Sequence, residues 1–317
     1  MKIRLKRNGY MGRTIKASVN IDKLKVCLIQ PEGLFERIYK HEQDYIVFNG
    51  FALKRIECNT NTIVCNVLLD EVGQTEQILL GSLVLNNTHK YSGKAFFEFE
   101  NSALYTVEGI DAGGNKYSKI MNLYYVAEVL GMELNNVTQV DLALDSNINF
   151  IRKITQAIKS YETLDMYLNG KRIIDPNEKL PEYGVFHGAS RKRLESLPTL
   201  YLSQAKKEIG LSMRVYDKTK ELSEQSSYKK YRFTQWLGWT SPKIYRVEIT
   251  LHNVNVRDFC SLVGSQTEEQ GNLKNILNLL GMQEWRAMCF LEMTNRLIYF
   301  RDKRSRKKLT LLDLAEL

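Results

Sequence analysis

From Ala17 to Glu100 the chain repeats one pattern: short runs of β-branched, aromatic and aliphatic residues, each closed by a polar turn. The runs are "ASVNIDKLKVCLIQ" (Ala17–Gln30), "DYIVFNGFALKRIEC", "TIVCNVLLDEV", "QILLGSLVLNN" and "AFFEFENSALYTVEG". A succession of such runs with short turns folds as antiparallel sheet, not as a helical bundle. In "AFFEFE" the alternation is strict, with Phe97 and Phe99 on one face and Glu98 and Glu100 on the other. A loop, "DAGGNK" (Asp111–Lys116), leads into a helix over "SKIMNLYYVAEVLGM", which Gly131 ends.

The second half changes rhythm. "VTQVDLALDSN" is a strand, and "NFIRKITQAIKSYETLDMYL" reads as a helix, with Phe150, Ile154, Ile158 and Tyr161 at three- and four-residue spacing. After a polar segment around "IIDPNEKLPEYG", strands return at "YGVFHGA", "TLYLSQA", "LSMRVYDKT" and "KIYRVEITLHN". From Val256 the pattern is helical to about Leu280, and again across "MQEWRAMCFLEMTNRLIYF". The expected fold class is α+β with mainly antiparallel sheet, in two β-rich lobes and a helical C-terminal extension. The lobes are placed at 1–135 and 136–257, and the extension with its basic tail at 258–317.

Charge narrows the partners. The formal net charge over 317 residues is +9, which favours a polyanion, nucleic acid before an anionic membrane surface. "RDKRSRKK" (Arg301–Lys308) holds six basic residues and one acid, and the first sixteen residues hold six basic side chains and no acid. The basic N-terminus has no apolar segment behind it and is not expected to be a secretory signal. "ILLGSLVL" (Ile78–Leu85) is too short to span a bilayer. Cys27, Cys58, Cys65, Cys260 and Cys289 form no CxxC pair and have no zinc-ligand spacing, so all five are expected to be reduced core thiols of a cytoplasmic protein.

Three strands of the second half place charge opposite an apolar face. In "VDLALD", Val140, Leu142 and Leu144 point one way, and Asp141, Ala143 and Asp145 the other. In "YRVEITL", Tyr245, Val247, Ile249 and Leu251 are apolar-side; Arg246, Glu248 and Thr250 are polar-side. In "MRVYDK", Arg214, Tyr216 and Lys218 share a face. An amphipathic strand with a solvated outer face has the same pattern. If the three strands are neighbours, however, acids, a tyrosine and cations converge on one sheet face.

That set suits phosphoryl chemistry. Asp141, Asp145 and Glu248 are hard oxygen ligands of the kind that hold Mg²⁺ or Mn²⁺, which would polarise a scissile phosphate. A phenol with a pKa of about 10 is a weak nucleophile at neutral pH. A metal or a cation such as Lys218 favours its phenolate. Attack on DNA leaves a 5′-phosphotyrosyl enzyme and a free 3′-hydroxyl, a reversible exchange of one phosphodiester for another.

"VTQVDLALD", then "TLYLSQAKKEIGLSMRVYDKTKE", then "YRVEITL", in this order and spacing, resembles the replication initiation factor family. That family includes rolling-circle initiators of small plasmids and relaxases of conjugative elements, and filamentous-phage replication proteins are similar. The resemblance covers roughly Val137 to Phe259. It implies that Tyr216 is the nicking nucleophile, flanked by Arg214 and Lys218, with Glu221 completing a Tyr-x4-Glu spacing. It also associates Asp141, Asp145 and Glu248 with a metal site, with Arg246 supporting. The implied core is a divergent relative of the HUH nucleases on an RRM-like sheet.

The chain departs from that pattern in two places. No His-hydrophobe-His pair is present, and His41, His89, His187 and His252 are scattered, which leaves a histidine-built metal site unsupported. Ser203-Gln204 stands where a glycine is common after "TLY". Further DNA contacts are expected at Arg191, Lys192 and Arg193 in "GASRKR", at Lys229, Lys230 and Arg232 in "SSYKKYRF", and at "RDKRSRKK". Trp236 in "FTQWLGW" is expected to stack on unpaired bases. Solvated charge and core packing are the alternative roles for these groups.

The sequence thus points to a metal-dependent, site-specific DNA nicking-closing endonuclease that starts rolling-circle replication. A relaxase with the same chemistry, or a non-catalytic DNA-binding protein on the same fold, are the alternatives; an RNA-binding sheet lacks its aromatic pattern. No GxxxxGK[ST] motif occurs, so unwinding would fall to a host helicase. A homodimer is compatible with this reading.

Overall fold

The computed structural model describes residues 15–70, 77–91, 93–105, 109–110, 116–117, 119–173, 199–203, 210–224, 227–264 and 275–316. At 109–110, 116–117, 119, 173, 227–230, 232 and 316 the description stops at the backbone. The fold is α+β with extensive antiparallel sheet, as the strand-rich pattern requires.

The strands are β1 (Ala17–Ile29), β2 (Tyr45–Phe48), β3 (Phe51–Cys58), β4 (Thr62–Leu69), β5 (Ile78–Asn86), β6 (Lys94–Phe99), β7 (Gly109–Ile110) and β8 (Lys116–Tyr117). They continue with β9 (Glu133–Ser146), β10 (Leu164–Leu168), β11 (Lys171–Ile173), β12 (Thr199–Ser203), β13 (Ser212–Asp217), β14 (Tyr245–His252), β15 (Ile298–Asp302) and β16 (Lys308–Leu309). The helices are α1 (Leu34–Tyr39), α2 (Asn101–Leu104), α3 (Asn122–Leu130), α4 (Phe150–Lys159), α5 (Lys218–Ser223), α6 (Ser227–Leu237), α7 (Asn253–Gly264), α8 (Ile276–Gly281), α9 (Gln283–Leu297) and α10 (Leu311–Glu316).

The chain forms two compact units, neither continuous in sequence. One comprises Met1–Asn20, Asp141–Phe259 and Gln283–Leu317; the other comprises Ile21–Val140 and Cys260–Met282. The lobes expected at 1–135 and 136–257 are continuous stretches, whereas both units here are discontinuous. The C-terminal stretch does not stand apart as a helical extension: Cys260–Met282 joins one unit and Gln283–Leu317 the other. The cause is the apolar content of these helices. Leu277 and Leu280 on α8, and Trp285, Phe290 and Met293 on α9, are buried, which a free-standing pair of helices would not achieve.

The unit built mainly from the first half is an antiparallel meander, ordered β1-β6-β5-β4-β3-β2. A two-residue turn, Asn49-Gly50, joins β2 to β3, with Gly50 at φ 78° as a tight hairpin requires. Phe97 and Phe99 are buried while Glu98 pairs with Lys23 and Lys25 at the surface, which is the expected alternation. The run "AFFEFENSALYTVEG" does not stay extended, however, because it turns into α2 after Glu100. Gly131, at φ 71°, closes α3 as expected.

The other unit carries β12-β13-β14-β9-β1 in one sheet and β11-β10-β15-β16 in a second. Helix α4 lies against β10, β13 and β14, with Phe150, Ile154 and Ile158 buried. It is shorter than its periodicity suggested and ends at Lys159, and "LDMYL" is β10. Beyond Ser160 the spacing of buried residues drops to two (Met166, Leu168), a strand period. The same switch converts "LIYF" at the end of α9 into β15. Among the described residues no helix is long and apolar enough to cross a membrane.

Candidate active site

Strands β13 and β14 are antiparallel neighbours, with Arg214 opposite Glu248 and Tyr216 opposite Arg246. Because side chains alternate along each strand, these four groups share one sheet face. The Tyr216 hydroxyl donates to Glu248 Oε2 at 3.1 Å, and the Arg214 guanidinium donates to Oε1 of the same carboxylate. Glu248 therefore joins the phenol and the guanidinium.

One step along β14, Arg246 makes a two-point contact with Asp145 of β9, through Nε at 2.7 Å and Nη2 at 3.0 Å. Asn20 Nδ2 donates to the same carboxylate at 3.4 Å. Both side chains of this pair are 0% exposed. Asp141 and Glu248 are buried too. The charged face of β9 and β14 is thus covered rather than solvated, so each charge on it must be met by a partner. The access to solvent lies on β13, where the Arg214 side chain is 45% exposed and Tyr216 is half-buried.

Burial works against charge on Arg214. The Glu248 carboxylate outweighs it, with Tyr216 and Asp141 adding to the effect, and the guanidinium pKa is raised above its ordinary value.

Lys218 reaches the site by a different route from the one expected. β13 ends at Asp217, whose side chain caps α5 by accepting from the Lys220 N–H at 3.0 Å. Lys218 is the first residue of that helix rather than a continuation of the strand face. Its ammonium is buried, 5.8 Å from the Tyr216 ring centroid, and ion-pairs with Glu221 one turn on. The Tyr-x4-Glu spacing has this local cause: it places an acid three residues after the lysine that the helix turns toward the phenol.

Phe233 on α6 was not singled out in the sequence. Its ring is fully buried and lies 5.5 Å from Lys218 Nζ and 5.3 Å from the Arg246 guanidinium, so it supports both cations. Nothing in "SSYKKYRF" distinguishes it from its basic neighbours. Asn20 was missed as well, since only pairing of β1 with β9 brings it to Asp145.

The metal expectation changes. Asp141, Asp145 and Glu248 do not form a three-ligand cluster, and among the described residues no group of three His, Cys, Asp or Glu side chains is arranged to hold an ion. Both oxygens of Asp145 already accept from Arg246. Both oxygens of Glu248 are engaged as well, by Arg214 and Tyr216, so a divalent ion at Glu248 would have to displace one of those donors.

Trp236 is not a stacking platform: it is 6% exposed and belongs to the core. An amphipathic α6 requires this of its apolar residues, as Phe233 and Leu237 are buried with it. Lys229, Lys230 and Arg232 fall on α6 where only the backbone is described, and Arg191, Lys192, Arg193 and His187 lie outside the described residues. His252 is half-buried at the end of β14; its N–H donates to Asn255 Oδ1 at 2.9 Å. All five cysteines are free thiols; four are buried as expected, but Cys58, at the end of β3, is exposed and not in the core.

The sequence matches no protein-family model and no curated protein. Among solved structures, the rolling circle replication initiator protein from Geobacillus stearothermophilus is similar at 13% identity over 95% of this chain and 97% of that one, with a TM-score of 0.40. A TM-score at that level does not assign a shared fold or activity.

Proposed function

We propose that the chain is a site-specific, metal-dependent single-strand DNA endonuclease and strand transferase that initiates rolling-circle replication, with Tyr216 as nucleophile. One observation carries this reading: the Tyr216 hydroxyl donates at 3.1 Å to Glu248 on a face shared with Arg214, and the start of α5 brings the buried Lys218 ammonium beside the phenol ring. The order of the "VDLALD", "MRVYDK" and "YRVEITL" strands, which resembles the replication initiation factor family, and the +9 charge point the same way.

In the step proposed, the Tyr216 oxygen attacks phosphorus, its proton passes to Glu248, and the bond from phosphorus to the 3′-oxygen breaks. The 3′-oxygen leaves with a proton from solvent, and the 5′-phosphate remains on the tyrosine. Lys218 favours the phenolate electrostatically, and Glu221 holds Lys218 in place. Arg214, half-open to solvent, exchanges Glu248 for a phosphate oxygen as DNA enters. A divalent ion held by Asp141, Glu248 and the phosphate would supply Lewis acidity at the phosphoryl group. Asp145 and Arg246 fix the strands that carry these groups. Unwinding is assigned to a host helicase.

The test uses the full chain with single-stranded origin DNA and Mn²⁺, followed by a denaturing gel. The expected result is a covalent protein–DNA band that Tyr216→Phe abolishes while DNA affinity stays within about two-fold, because the phenylalanine retains the ring's packing. An adduct in the Phe variant sinks the assignment. Binding without any adduct in the unmodified chain favours a non-catalytic DNA-binding protein instead.

A further inference from the structure

The second sheet of the unit that holds Tyr216 has one packed face and one decorated face. Met166 and Leu168 of β10, Ile298 and Phe300 of β15 and Leu309 of β16 are buried. The opposite face follows from the register. Tyr167 stands opposite Tyr299 across β10 and β15, and Arg301 stands opposite Lys308 across β15 and β16.

These four side chains form a row. The two tyrosine rings are stacked, with centroids 4.7 Å apart and planes 8° from parallel. The Arg301 guanidinium lies 5.3 Å from the Tyr167 centroid, and Lys308 Nζ lies 4.3 Å from the Tyr299 centroid. Both rings are half-buried and Lys308 is exposed. Arg301 Nε, itself out of contact with solvent, has no hydrogen-bond partner.

The turn beside the row is strongly basic. Residues 303–308 read Lys-Arg-Ser-Arg-Lys-Lys, five cations and no acid. Asp302 offsets only one charge of that run, and its carboxylate is held in the turn, accepting from the Ser305 N–H at 2.5 Å and the Ser305 hydroxyl at 2.8 Å. Those hydrogen bonds, with nearby Arg304, hold the Asp302 pKa below the usual carboxylate range. Asp165 on the same face is also committed, to Arg172 at 2.7 Å and Lys303 at 3.6 Å. The turn cations Arg304, Arg306 and Lys307 remain exposed.

From this juxtaposition we infer that the outer face of β10, β15 and β16 is a second DNA-binding surface, specific for single strands, in which Tyr167 and Tyr299 stack unpaired bases and the basic turn follows the phosphates. The inference rests on the DNA-nicking reading for the identity of the polyanion, but it uses none of the same residues. Stacked aromatics flanked by cations are what a sequence-tolerant single-strand surface requires, since every base has a π-face and every nucleotide a phosphate. Lys308, the exposed cation of the two, does not block this role. A cation–π contact at an exposed site is weaker than base–aromatic stacking, so an arriving base displaces Lys308 from Tyr299, and the freed ammonium is left beside the backbone phosphate.

The test is fluorescence anisotropy of the full chain with a labelled oligo-dT strand, in EDTA so that cutting does not interfere. Tyr167→Ala and Tyr299→Ala should each weaken binding by about 5- to 150-fold, the range for removing one ring from beneath a base. Tyr167→Phe and Tyr299→Phe should bind as the unmodified chain does, because the ring and not the hydroxyl carries the stacking. Arg304→Ala with Lys307→Ala should reduce the slope of log affinity against log salt by about 0.7 for each phosphate that is no longer neutralised. Affinity within two-fold in a variant carrying both Tyr167→Ala and Tyr299→Ala, with its melting temperature retained, overturns the inference. So do equal losses in the Phe and Ala variants, equal affinity for duplex DNA, or preferential binding of single-stranded RNA. If the alanine variants do not fold, the Phe variants and the salt slope still decide. At saturating DNA the platform variants should form the Tyr216 adduct normally, whereas failure of the nicking reading would leave binding intact with no adduct in any variant.

Discussion

Arg246 and Glu248 lie two residues apart on β14, and each takes part in an arginine–carboxylate pair. Arg246 meets Asp145 through two hydrogen bonds with both side chains at 0% exposure. Glu248 meets Arg214, whose side chain is 45% exposed, and also accepts from Tyr216. The chemistry of the two pairs is the same and their surroundings are not. A fully enclosed pair has no exchange partner, and losing either member strands a charge in a low-dielectric interior. The Glu248 side chain is 0% exposed as well, so the second pair is open only on its arginine side, where the guanidinium can reach a phosphate while Tyr216 still donates to the carboxylate. On the proposed function, the first pair serves architecture and the second chemistry.

Breaking the enclosed pair should give the largest effect. Arg246→Met leaves the Asp145 carboxylate buried without its guanidinium and should lower stability by about 3–5 kcal/mol, read by urea unfolding. Replacing both members, Asp145→Leu with Arg246→Met, should recover most of that loss; a double variant no better than the single one would show that the pair is not the unit. Next comes Glu248→Gln, which keeps a hydrogen-bond acceptor for Tyr216 but removes the charge. Adduct formation should fall by about 100-fold or more, the loss typical of a proton acceptor, and an unchanged rate would move that role elsewhere.

The smallest effect is expected at the open pair. Arg214→Lys keeps the charge and loses the planar fork, so stability should change by under about 1 kcal/mol while single-turnover nicking slows. Its pH dependence sharpens the contrast. The Arg214 pKa is raised on folding, so its contribution is fully present below the ordinary arginine value and is lost only as pH climbs through the folded one. The stability difference between Arg214→Lys and the unmodified chain should therefore stay flat from about pH 6 to pH 9. A slope in that window would mean that another group titrates with the pair.

Much of this was legible beforehand. Alternation alone placed Arg246 with Glu248 and Arg214 with Tyr216, because a strand's period of two allows no other arrangement once its apolar face is known. The run "DYIVFNGFALKRIEC" read as one strand, whereas the Asn49-Gly50 turn splits it into β2 and β3. Less legible were the ends of elements: "LDMYL" and "LIYF" read as continuing helices, since a few apolar residues fit either period. Trp236 was misplaced for a related reason, as a tryptophan beside basic residues looks the same in sequence whether its helix face is inward or outward. Tyr167 and Tyr299, 132 positions apart, carried no shared signal.

The residue pattern by itself determined the class of fold, the basic charge and which side chains share a strand face, because these depend on local periodicity and composition. Only the tertiary structure decided which faces are covered, that Asp145 belongs to Arg246 instead of a metal cluster, and that a helix start brings Lys218 to the phenol. Burial and partnership depend on strands from distant parts of the chain, and that pairing is fixed by packing over the whole sheet.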